Sequence, residues 1–274
     1  MKKTLIAAAL FAVFGAAHAY DSVGTSTNNN IVQVGGSTFA DTHFHGPNGA
    51  PGVGFVETSS GAGDGFIISL QSINPYSYKD SSTTSGGVAF QRYQLLGYTH
   101  EDPEEGGTVS TNFNWFKVPT ISQQVYFGIA TNDPTSSTAR RDAAFEVGDQ
   151  TGCVVPNSAT SYATAGFLVP SGYTSTTPII LTGTLNLAVS GTTATSLSGD
   201  LSGSSYNLNI AANTINSTAG TFSGDSTLSG AATGSGTSSG HFYGSGTTSA
   251  VAGVAASDAT SATAYVASFG GIKN

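Results

Sequence analysis

Two short segments gather the side chains best suited to chemistry. In Asp41-Thr42-His43-Phe44-His45-Gly46-Pro47-Asn48-Gly49, two imidazoles lie two residues apart beside Phe39 and Phe44. On a strand, residues i and i+2 share a face, so His43 and His45 would meet in one pocket; in a loop only one of them need point inward. Tyr98-Thr99-His100-Glu101-Asp102-Pro103 ends an apolar strand with a third imidazole. Zinc takes three or four N, S or carboxylate ligands, which His43, His45 and His100 with Asp41, Glu101 or Asp102 would supply. Heme takes one or two axial imidazoles and an apolar, aromatic slot. Phe39, Phe44, Phe55, Phe66, Tyr76, Tyr78, Phe90, Tyr93 and Tyr98 suit heme better than zinc, and Arg92, Lys79 or Lys117 would be on hand for its propionates. A solvent-facing loop position is the ordinary fate of a lone histidine, and no spacing here matches the specificity of a paired-cysteine metal motif.

Catalytic signatures are missing. No Gly-x-Ser-x-Gly turn sits between a strand and a helix, where a nucleophile would need it. Glu101-Asp102-Pro103-Glu104-Glu105 lacks the register of a calcium loop and reads as a solvated acidic loop, and His241 reads as barrel-strand surface. Cys153 is the only cysteine, so it forms no disulfide within the chain. It is expected to be a small buried hydrophobe, with thiolate ligation the minor reading. The residues therefore point away from an enzyme. Lys and Arg total 8 against 16 Asp and Glu, a net charge of −8, which excludes the basic footprint that nucleic acids or anionic membranes require.

The elements that must hold these residues are strands. Residues 1–19 carry Lys2 and Lys3, an apolar run from Leu5 to Ala17 and a small-x-small ending, Ala17-His18-Ala19, the pattern of a cleaved secretory signal. No cysteine stands at the junction to take a lipid anchor. Residues 20–175 hold Trp115, most of the Phe and Tyr and nearly all the charge; they read as a β-rich ligand-binding domain with long loops. Strands are expected over Ile31–Val34, Gly65–Leu70, Val88–Tyr98, Val109–Val118 and Ile121–Ile129, where β-branched and aromatic residues cluster, and a short helix over the segment following Asp133-Pro134 through Phe145. Residues 176–274 alternate apolar with Gly, Ser, Thr and Asn in short runs broken by turns, such as Ile180 to Leu187 and Tyr206 to Ile210. That period marks antiparallel strands, in number enough to close a small barrel. The fold class is all-β.

The tail carries a resemblance. Gly240-His241-Phe242-Tyr243-Gly244, then Ala250-Val251-Ala252-Gly253-Val254, then Phe269-Gly270-Gly271 resemble the C-terminal eight-stranded barrel of transferrin-binding protein B and its relatives. Ala250 to Val254 departs from that pattern in lacking its second glycine. Among these barrel proteins, a cleaved signal without a lipid cysteine, one barrel and a histidine-bearing front domain resemble the hemophilin group of secreted hemophores. The resemblance implies an N-terminal clamp or handle that binds heme b through histidine, with His43 or His45 from one loop and His100 from the other as iron ligands and Phe44 and Tyr98 beside them. It also implies export across a Gram-negative envelope, through the periplasm, by an outer-membrane surface-lipoprotein assembly modulator. Heme capture from hemoglobin and delivery to a TonB-dependent receptor for iron acquisition complete the expectation. The alternatives are a host-protein-binding module or adhesin using the same export barrel, and a glycan binder using exposed Tyr and Trp115.

Overall fold

The computed structural model describes residues 20–38, 47–55, 67–73, 78–101, 108–136, 140–258 and 261–274, with backbone alone for 55, 78–81, 98–101, 108 and 109. Among these, the chain is built from β-strands, one four-residue helix and one short 3-10 turn. Eight strands close an antiparallel barrel: β10 (Thr160–Pro170), β11 (Ile179–Ser190), β12 (Thr193–Gly203), β13 (Tyr206–Asn216), β14 (Thr221–Gly230), β15 (Gly234–Tyr243), β16 (Ala250–Ser257) and β17 (Tyr265–Lys273). The composition break at residue 176 leaves seven of them in the tail; the eighth, β10, comes from the stretch that composition assigns to the front domain, and pairs with both β11 and β17. β10 is buried along most of its length, because its outer face meets the front domain. It therefore reads as a continuous apolar run and lacks the period-two alternation that marks its neighbours.

The barrel interior is a packed core. Leu185, Leu187, Leu197, Leu201, Leu208, Ile210, Phe222, Phe242 and Phe269 point inward and are fully or almost fully buried, while β11 to β15 expose Ser, Thr, Asn and Asp between them. A lipid-facing barrel would carry its apolar side chains on the outside; here the outer wall of these strands is hydroxyl-rich. Gly240 and Gly253 make room for the aromatic plug, since a Cβ on either would overlap the Phe222 ring.

The front domain is a six-stranded antiparallel sheet in the order β1 (Ser22–Ser26), β9 (Arg141–Asp149), β8 (Val125–Asn132), β7 (Thr108–Lys117), β6 (Val88–Glu101), β5 (Tyr78–Ser85). A three-stranded sheet of β2 (Val32–Gly36), β3 (Pro51–Phe55) and β4 (Ile67–Ser69) covers one face. The helix expected after Pro134 is instead strand β9 from Arg141 onward. Inserted between β1 and β8, its Ala143, Ala144, Phe145 and Val147 are buried on both faces, and central-strand burial outweighs the modest helix propensity of the Ala pair. The expected strand from Ile121 begins later, at Val125, after a turn in which Val118 N–H donates to Val125 O at 2.9 Å. Of the expected Gly65–Leu70 strand, Ile67–Ser69 form β4 and Leu70 opens α1 (Leu70–Ile73), while Gly65 and Phe66 lie outside the described residues.

Alternation along the sheet sends residues to two different cores. Tyr93, Phe113, Trp115, Tyr126 and Phe145 pack beneath the small sheet with Ile31, Val32 and Val53. Phe90, Phe116, Phe127 and Ile129 point the other way and dock on the barrel wall against Phe167, Val254 and Ile272. Phe116 and Phe167 stack at 4.5 Å across this junction, and the Phe127 ring occupies the space that a side chain at Gly270 would fill. The Phe-Gly-Gly step in β17 is thus a docking notch for the front domain.

Candidate functional site

None of the expected ligand set falls on described side chains. His43, Phe44 and His45 lie outside the described residues, and of Tyr98 and His100 only the backbone is described. Segment 39–46 leaves β2 and returns to β3 through a neck closed by Ser37 N–H to Ala50 O at 2.7 Å and Gly49 N–H to Ser37 O at 2.8 Å. Ser22 Oγ donates to Gly49 O at 2.6 Å, which ties this neck to the end of the large sheet where Ser22 pairs with Asp149.

His100 belongs to the opposite end. It pairs with Val109 in the β6–β7 hairpin, two residues beyond Thr111, which pairs with Asn132 and through it with Arg141. Between the Asp149 and His100 levels run about nine strand residues, or roughly 30 Å at 3.3 Å each. The described neck at Ser37 and Gly49 and the described pairing of the β6–β7 hairpin therefore lie at opposite ends of the large sheet.

Of the aromatic slot, Phe39, Phe44, Phe66 and Tyr76 lie outside the described residues, and Phe55, Tyr78 and Tyr98 are described by backbone alone. Phe90 is fully buried in the junction core, and Tyr93, 8% exposed, stacks on Trp115 at 5.7 Å. Neither lines an open pocket. Trp115 is fully buried as well, which removes it as a glycan platform. Arg92 is 7% exposed and shares the barrel-facing side of β6 with Phe90, away from any loop tip; burial lowers its pKa from the usual guanidinium value.

A cleft of about 910 Å³ opens at the His100 end, between the β8–β9 turn and the barrel loop after β10. Its lining includes Asn28, Ser136, Arg140, Asp142, Tyr173 and Tyr265. Arg140 spans it: Nε and Nη2 each donate to the Asp142 carboxylate at 3.0 Å, and Nη1 donates to Ser175 O at 2.9 Å, so one guanidinium joins strand β9 to the barrel loop. Thr131 Oγ1 donates to Asp142 at 2.6 Å and fixes the carboxylate. Asp133 N–H donates to Ser110 O at 2.8 Å, which fastens the cleft's rim to the base of the hairpin carrying His100. The volume falls within the several hundred Å³ of small-molecule sites.

Sequence reasoning missed a second cluster. His241 is not free barrel surface. On the outer face of β15 it meets Glu146 of β9, with Nδ1 2.7 Å from Oε1, and Tyr243 donates its hydroxyl to Oε2 at 2.6 Å. Glu146 and Tyr243 are fully buried and the His241 side chain is 14% exposed. Burial opposes charge on His241, but the hydrogen bond and the negative charge of Glu146 outweigh it and hold the imidazole pKa above its ordinary value. Tyr243 is pushed far above the usual phenol range by burial and by that same carboxylate. The available signal was the spacing His241-x-Tyr243, two residues on one strand face, with Glu146 inside an apolar run. Cys153 donates from Sγ to Phe242 O at 3.1 Å, and burial raises its pKa to about 11. A protonated thiol is a poor metal ligand; Cys153 is half-buried, rather than fully buried as expected, and packs against the barrel core.

Among the described residues no three His, Cys, Asp or Glu side chains are grouped to hold a metal ion. Fold and site together define a class: an all-β protein whose six-stranded handle docks on a closed eight-stranded barrel, with a polar cleft at one end of the junction. No family model and no curated protein matches this chain.

Proposed function

We propose that the protein is an exported, non-catalytic heme carrier of the hemophilin kind, which holds heme b at the hairpin-and-cleft end through His100. The supporting observation is the attachment of the His100 hairpin to the rim of the 910 Å³ cleft through Asp133 and Ser110. Tyr98 lies two residues earlier on the same strand, and Arg140 is the cation that reaches this cleft. In this reading the iron takes one protein imidazole, His100. One axial imidazole beside an open cleft suits carriage and release. In this reading the barrel serves the exporter, and the loaded handle takes heme from hemoglobin and meets a TonB-dependent receptor.

Hemin titration of residues 20–274 beside His100→Ala, His43→Ala and His45→Ala tests it. A saturable, red-shifted Soret band that moves or vanishes only in His100→Ala is expected. A band altered equally by His43→Ala or His45→Ala would overturn the single-ligand site, and a spectrum no different from free hemin would overturn the heme reading. In the latter case a host-protein-binding module remains, a reading favoured by Leu96, 52% exposed within the hairpin, and by the hydroxyl-rich cleft.

A further inference from the structure

The hairpin that carries His100 contains one residue too many. Up to Leu95↔Phe113 its strands pair one to one, and they do so again from Tyr98↔Thr111 to Glu101↔Thr108; between these stretches Leu96 and Gly97 together face Asn112. Such a bulge is a built feature that re-aims the side chains beyond it. Gly97 takes φ +66°, with nothing within 4 Å of where its Cβ would be, so glycine is needed there for backbone conformation and not for space. Asn112 is 3% exposed, and its Oδ1 accepts the Gly97 N–H at 2.7 Å. A buried side chain thus satisfies the Gly97 amide within the bulge.

We propose that Asn112 and Gly97 are positioning residues for His100. By holding the extra residue in the bulge, they keep His100 opposite Val109, in the same register parity as Phe113 and Trp115. Without the bulge the surplus residue must be absorbed by a slip: Gly97 would pair with Thr111, Thr99 with Val109, and His100 with Thr108. A one-residue slip exchanges the two faces of a strand, so the hairpin would offer position 99 where it now offers position 100. Leu96 is 52% exposed at the same point, as expected of a residue that the bulge turns out of the ladder. The functional part of this assignment rests on the proposed heme site; the register part does not.

A slipped register can be reversed by a second change in the same strand. Asn112→Ala is expected to weaken hemin binding about 10- to 100-fold, the usual consequence of losing a group that orients a metal ligand, and to give the Soret band of His100→Ala. Deleting Gly97 in the Asn112→Ala background removes the surplus residue, restores Tyr98 opposite Thr111 and His100 opposite Val109, and is expected to bring back the wild-type band. Gly97→Val should behave like Asn112→Ala, and Gly97→Asn, which tolerates a left-handed backbone, like wild type. Loss of stability alone would not be reversed by a deletion. Cross-strand NOEs between 98–101 and 108–111 report the register with or without hemin. Should Asn112→Ala not fold, the two Gly97 substitutions carry the test. A wild-type band in Asn112→Ala and Gly97→Val, a deletion that fails to rescue, or NOEs that do not slip would overturn the proposal. If wild-type protein binds no hemin, the heme reading has failed and the NOEs alone decide the register.

Discussion

Replacing His241 with alanine tests whether a buried charge fastens the handle to the barrel. Both oxygens of the fully buried Glu146 carboxylate are satisfied from β15, by His241 at 2.7 Å and Tyr243 at 2.6 Å. His241→Ala leaves the carboxylate between the two domains with one neutral donor. Removing one partner of a buried pair costs about 3–5 kcal/mol; because the His241 side chain keeps 14% exposure and water can follow the truncation, about 3 kcal/mol is expected. For a chain of this size each kcal/mol moves Tm by about 2–4 °C, so the transition should fall by roughly 6–12 °C. Glu146→Gln removes the charge but keeps groups able to bond both partners, and should cost about 1 kcal/mol. The pH dependence follows from the raised pKa of His241. Its contribution is complete below the unfolded imidazole value of about 6.5 and fades as pH rises through the higher folded value. The gap between wild type and His241→Ala should therefore be widest in mildly acidic buffer and narrow in alkaline buffer. Calorimetric melts across that range measure it. A gap under about 0.5 kcal/mol, the scale of an ordinary surface substitution, or one that does not change with pH, would refute the reasoning.

Other outcomes follow from the same packing. Gly270→Val forces a side chain into the space of the Phe127 ring and should destabilise by about 1–3 kcal/mol or more; Phe127→Ala, by opening a cavity, should cost about 3–5 kcal/mol. Both are read from denaturant melts, and the double variant should be less destabilised than the sum of the two. Cys153, with its pKa near 11, should alkylate very slowly with iodoacetamide at pH 8 and speed up toward pH 11; rapid reaction at pH 8 would contradict its burial against Phe242. Arg140→Met breaks the link from Asp142 to Ser175, and amide exchange should rise in the loop after β10 with little change inside the barrel.

How much was legible in the sequence differs between the two domains. In the tail, Leu197, Leu201, Leu208 and Ile210 alternate with Ser, Gly and Asn because those strands have one dry face and one wet one, and that period survives in the chain as letters. β10 and β9 have no wet face along most of their length. With both sides covered, alternation disappears; composition then assigned β10 to the wrong side of the barrel's edge, and the Ala pair in β9 resembled a helix. At the candidate site, the histidines and their chemistry could be read directly, but their distance could not. The neck at Ser37 and Gly49 and the β6–β7 hairpin lie at opposite ends of the sheet, because which end of a strand a loop leaves from depends on the number of turns before it, a count fixed by pairing.

By itself, the sequence determined the all-β class, a closing barrel, a lone cysteine without a disulfide and a shortage of catalytic motifs, since each rests on composition or on local periodicity. Tertiary structure alone decided that Trp115 and Phe90 are core, that the Phe269-Gly270-Gly271 step is a docking notch, that Glu146 and His241 meet across the junction from strands 95 residues apart, and that Asn112 locks a bulge ahead of His100. All of these depend on which surfaces face one another after the strands have paired, and long-range pairing in a sheet leaves almost no trace in the identity of neighbouring residues.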